Sequence, residues 1–124
     1  MAKKKIKTTK ADFKYFKECC EYWMTELGIK DWHIDYDHCD LPDSFAEVTY
    51  TYSRRAATLC LSKDWTGRKV TRVSLDETAC HEITHLAIAP LHVLSKWRFV
   101  EVDCIDVEVE RLTTQMHRAI WNAR

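Results

Sequence analysis

The apolar residues of this chain change their repeat twice, and that change limits what it can fold into. Phe13, Phe16, Cys20, Trp23, Met24 and Leu27 recur mostly at three- to four-residue spacings, which is one face of a helix. From Trp32 the repeat drops to two. Trp32, Ile34 and Tyr36 alternate with His33, Asp35 and Asp37, and Ala46, Val48, Tyr50 and Tyr52 alternate with Glu47, Thr49 and Thr51. Ala57, Leu59 and Leu61 continue the alternation. The helical repeat returns in Ile105, Val109, Leu112, Met116 and Ile120. Helix, then strands, then helices is the pattern of an α+β domain.

Local signals set the boundaries. Thr9 is placed to cap a first helix over about 10–28, with Gly28 just beyond its end. Asp40-Leu-Pro-Asp-Ser44 and Ser53-Arg54-Arg55 read as turns. The alternating segments therefore predict a small, twisted, mostly antiparallel sheet of about three strands. Residues 64–73 read as a connection. Ser74-Leu-Asp-Glu77 has the form of a capping box opening a helix from about Leu75 to Ala89, with Pro90 at its end and 91–97 adding a further turn. A last helix is expected from about Asp103 to Asn122. A single domain over 10–124 is expected, preceded by a flexible basic arm over 1–9.

Composition narrows the function. Hydrophobic residues at 46% and charged residues at 31% belong to a folded chain and exclude disorder. Lys+Arg and Asp+Glu are 19 each, so the basic excess of a dedicated nucleic-acid binder is missing. The charges are uneven: Lys3, Lys4, Lys5, Lys7, Lys10, Lys14 and Lys17 face Asp12 alone in residues 1–17. That run reads as a solvated arm, the one place where nucleic-acid contact is conceivable. The chain has no secretory leader pattern and no apolar run near the roughly 18 residues needed to span a bilayer. A cytoplasmic protein with six reduced cysteines and no membrane association is expected. With no C-x-x-C pair, a cysteine zinc cage has no support in the sequence.

His81-Glu82-Ile83-Thr84-His85 is the pattern H-E-x-x-H inside the second helix. Residues four apart share a helical face, so both imidazoles reach one ion. Zn²⁺ suits two imidazoles, one carboxylate and a water in the remaining position. Glu82, about 100° round the helix from His81, is placed as the general base toward a metal-activated water. A third ligand is required. His92 lies seven residues after His85, not the six of H-E-x-x-H-x-x-G-x-x-H, and Ile88 stands where that pattern has glycine. Glu108 and Asp106 border opposite edges of the last helix's apolar face, and a buried acid needs a partner such as a cation. Glu108, with the longer reach, and Asp106 are the candidates.

The motif followed by an acid on a later helix resembles the gluzincin class of zinc metallopeptidases, and the short chain resembles the minigluzincins. Lys30-Asp31-Trp32, Ala89-Pro90-Leu91 and Glu110-Arg111-Leu112 also make it look like small H-E-x-x-H proteins of tailed phages. The resemblance implies a zincin-like fold: a helix, a sheet of about three strands and two ligand helices. It implies a Zn²⁺ cofactor and hydrolysis of a peptide or protein substrate. It also implies an exposed edge strand for the substrate, here Ala57–Ser62, and an oxyanion-stabilising group among Tyr50, Tyr52, His92 and Arg98. Trp23, Trp32, Trp65 and Trp97 read as packing. The competing expectation is a zinc-stabilised phage protein without turnover, binding a host or phage partner.

Overall fold

The computed structural model describes residues 4–97 and 101–123. Its order is β1 (Lys5–Lys7), α1 (Lys10–Glu26), β2 (His33–Cys39), β3 (Ala46–Thr51), β4 (Ala56–Ser62), β5 (Asp64–Thr66), α2 (Arg72–Lys96) and α3 (Val102–Asn122). The fold is α+β. Among the described residues, no helix is long and apolar enough to cross a membrane.

Thr9 caps α1 as its position predicts. Its hydroxyl accepts from the Asp12 amide at 3.1 Å, and the Asp12 carboxylate accepts from the Thr9 amide at 2.8 Å. The helix ends in a Schellman turn, with the Ile29 amide on the Met24 carbonyl at 2.8 Å and Gly28 at φ 69°. A side chain at that φ is strained, so glycine belongs there.

The three-stranded sheet has the order β2-β4-β3. β3 pairs antiparallel with β4, but β2 runs parallel to β4, with Asp37 opposite Cys60. The expected, mostly antiparallel sheet is thus mixed. The segment Ala57–Ser62, expected at an edge, is the central strand, and β3 is an edge. The alternation could not decide this, because both faces of a strand look the same whichever neighbour it takes. The expected flexible arm contributes β1, which pairs antiparallel with β5 in a second sheet. Residues 1–3 of that arm lie outside the described residues.

Helices α1 and α2 cover one face of the larger sheet. Leu59 and Leu61 of β4 are fully buried against Phe16 and Cys20 of α1 and Ala79 and Ile83 of α2. Trp65 is buried beside them and donates its indole N–H to the Phe45 carbonyl at 3.1 Å. Trp23 ties the helices together through Asp76, at 2.7 Å. The opposite face of the sheet carries His33, Asp35, Asp37, Glu47 and Thr49, all exposed.

Both ends of α2 differ from expectation. It starts at Arg72 because Thr71 is the cap: its hydroxyl accepts from the Ser74 amide at 3.0 Å, and the Ser74 hydroxyl accepts from the Thr71 amide at 2.8 Å. Ser74 is therefore the third helical residue and not the cap. The helix also continues through Pro90 to Lys96. A proline removes one helical hydrogen bond, and the burial of Ala89 and Pro90, and of Leu94 one turn on, keeps the helix in line. In α3 the inward residues are Leu112, Met116 and Ala119, whereas Val109 and Ile120 of the expected stripe are exposed. No residue of α3 is fully buried.

Leu59→Ala should lower stability by about 2–5 kcal/mol, read from the urea midpoint, since it opens a cavity in the central strand. A second expectation concerns His38, stacked on Phe13 and 2.6 Å from the Thr8 hydroxyl. Burial, and then the Lys63 charge, hold its imidazole below the ordinary value. The unfolded chain therefore takes up this proton first as pH drops through about 6.5. Stability from this group is present above that pH and is lost as pH falls toward the folded value. Urea midpoints should drop between about pH 7.5 and about pH 5.5, and His38→Gln should flatten that drop.

Candidate functional site

Helix α2 and the edge strand β3 enclose a groove of about 650 Å³. Glu77, His81, Glu82, His85 and His92 reach it from the helix, and Tyr50 reaches it from β3. The burial of Ala79, Ile83 and Leu86 fixes the rotation of α2. That rotation leaves His81 and His85, one turn apart, exposed on the groove side.

The two imidazoles converge. Their Nε2 atoms are 3.2 Å apart, with the rings edge to face at 80°. Two nitrogens bound at about 2.0–2.1 Å to one tetrahedral ion would be about 3.3 Å apart. That separation is the one two imidazoles take on a shared ion, and equally the one of a hydrogen bond from one ring to the other. Glu82 lines the same groove but is only 7% exposed. Burial pushes its carboxyl above the ordinary carboxylate range; the His81 charge works against that shift and Glu47 adds to it. A carboxylate that holds its proton more readily is suited to accept one and hand it on.

Two further predicted residues meet across the groove. The Tyr50 hydroxyl lies 2.7 Å from His92 Nδ1, joining β3 to the last turns of α2. Tyr50 also packs edge-on against Trp32 at 6.0 Å, which holds its ring in place. Tyr52 packs instead with Trp32 and under the Arg55 guanidinium, 4.4 Å from its ring. Arg98 lies outside the described residues.

The third ligand is where structure and expectation part. Glu108 is turned inward, its side chain 17% exposed, but its carboxylate accepts from Arg111 Nε at 2.8 Å. Arg111 also donates to the Gln115 side chain at 2.8 Å, and Gln115 donates to the Leu27 carbonyl. Glu108 therefore belongs to a side-chain network linking α3 to the end of α1. Asp106 is exposed. Among the described residues, no third carboxylate, thiol or imidazole brings a donor atom within 4.8 Å of both histidines. The two imidazoles supply two of the ligands a zinc site needs, and neither Glu82 nor α3 brings a third donor atom within that distance in this arrangement.

Glu77, Glu47 and Arg68 also line the groove and were not singled out from the sequence. Glu77 is bound by Arg68 at 2.7 Å. The signal for Glu77 was its place four residues before His81, which extends the polar row one turn toward the helix start. Glu47 and Arg68 had no such signal, since neither is on α2.

No protein-family model, curated protein or solved structure matches the chain. The reading of the site therefore stands on its residues and their geometry.

In proton NMR spectra, zinc added in excess should move the ring resonances of His81 and His85 together and leave those of the exposed His117 in place. His81→Ala should abolish the response at His85. A response at His85 that survives this substitution would show that the two rings do not share an ion.

Proposed function

We propose that this protein is a zinc-dependent hydrolase of peptide bonds. The observation that carries the proposal is the 3.2 Å approach of the His81 and His85 Nε2 atoms, with Glu82 buried beside them in the same groove. His81 and His85 would hold the ion, and Glu108 is the α3 carboxylate that would complete the set on leaving Arg111. When bound, zinc supplies a Lewis acid and brings the pKa of a water in its open position to about 7.

The chain's own residues supply the rest. Glu82, raised by burial, takes the attacking water's proton and delivers it to the leaving amine. The Tyr50 and His92 pair places polar hydrogens in the groove, where charge develops on the scissile carbonyl oxygen. Edge strand β3 presents unpaired backbone groups along the groove, so an extended peptide pairs with Ala46–Thr51. This replaces the substrate strand expected at Ala57–Ser62, which is enclosed on both sides by β2 and β3.

A second reading is a zinc-holding protein without turnover. It is favoured by the Glu108–Arg111 ion pair, which occupies the α3 carboxylate.

Glu82→Gln decides between them when paired with peptide-library digestion and metal analysis. The hydrolase reading expects zinc content unchanged and cleavage lowered by about 100-fold or more. A zinc-loaded wild-type protein that cuts no peptide supports the second reading. A variant that cuts as fast as wild type removes Glu82 from the mechanism.

A further inference from the structure

The open face of the larger sheet, turned away from α1 and α2, carries a second group of ligand atoms. Asp37 and Cys39 are two apart on β2 and so point to the same side. The parallel register sets Cys60 of β4 opposite Asp37 and diagonal to Cys39. One donor atom from each of the three residues lies within 4.8 Å of the other two. The Cys60 Sγ to Asp37 Oδ2 distance is 3.8 Å. A sulfur bound at about 2.3 Å and an oxygen at about 2.1 Å on one tetrahedral ion would be about 3.6 Å apart.

The chemistry of the trio also calls for a cation. Two thiols and one carboxylate gathered on one face are a donor set that a thiophilic cation takes. Both cysteines carry free thiols, offset by two residues across the parallel ladder.

We propose that Asp37, Cys39 and Cys60 form a binding site for a thiophilic divalent cation, separate from the histidine pair and independent of the hydrolase reading. Entry of the cation displaces the two thiol protons to solvent, and both sulfurs and one carboxylate oxygen coordinate it. Asp37 is exposed and the cysteines are half-buried, so water reaches the fourth position. The ion would clamp β2 to β4 on the face that no helix covers.

Cobalt(II) titration of the full-length, reduced, metal-free protein tests this, because thiolate coordination gives a charge-transfer absorption that imidazole and carboxylate ligands do not. The absorption should appear in the wild-type chain and in the His81→Ala/His85→Ala chain, and should vanish in Cys60→Ser and in Cys39→Ser. Asp37→Asn, a change at an exposed position, should weaken cobalt binding at least about tenfold and reads the same site should a serine variant fail to fold. Absence of the absorption from the wild-type chain overturns the proposal, as does its persistence in Cys60→Ser.

Discussion

The rotation of α2 about its own axis is the constraint on which the candidate site depends. Leu75, Ala79 and Ile83 are sealed in the core with α1 and the sheet, and Leu86 is buried one turn on. Each residue advances about 100° round the helix. Once that inner row is fixed, His81 and His85 have nowhere to point but the groove, and Glu82 falls between groove and core. One side chain thus gains the desolvation that raises its proton affinity, while its neighbours keep the solvent access that metal binding needs. Packing alone produces this division.

Helix α3 follows different physics. It has no fully buried residue, and its inner row is shared between Leu112, Met116 and Ala119 and the polar chain Glu108–Arg111–Gln115. That chain reaches the Leu27 carbonyl at the end of α1, a group left open where the helix hydrogen bonds run out. The Arg111 guanidinium also faces the Ala87 carbonyl at 3.5 Å. Glu108 is therefore held by a partner on its own helix, in a network that positions α3 against both other helices. The same carboxylate is claimed by structure and by the proposed chemistry, and Arg111 sits at that junction.

Much of the architecture was legible in the residues. The period changes placed α1, β2, β3, β4 and α3, and the capping-box pattern before the H-E-x-x-H motif placed α2; the two short strands β1 and β5 had no such signal. Thr9 marked the start of α1, and Gly28 its end. What was not legible depended on partners distant in the chain. Nothing in the alternation of β2 tells whether its neighbour runs parallel, so the central place of β4 and the juxtaposition of Cys60 with Asp37 and Cys39 were hidden. The spacing Asp37-x-Cys39 was the visible half of that cluster, and it differs from the C-x-x-C of a cysteine zinc cage. Pro90 misled because a local rule was overridden by burial on either side of it. The histidine pair was readable because its geometry is internal to one helix. The i,i+3 spacing of Glu108 and Arg111 was in the sequence as well; what was hidden is that Arg111 also reaches the Ala87 carbonyl of α2, and Gln115 the Leu27 carbonyl at the end of α1.

Strand β1 draws its partner, β5, from more than halfway along the chain, with Ile6 opposite Trp65. Closing so long a loop costs little more in entropy than closing one of half its length, since that cost grows only with the logarithm of length. Its cost falls on timing, because pairings remote in sequence form slowly. In synthesis β1 precedes β5, so it stays without this partner until residue 66 has been added, by which point every strand of the larger sheet has been made.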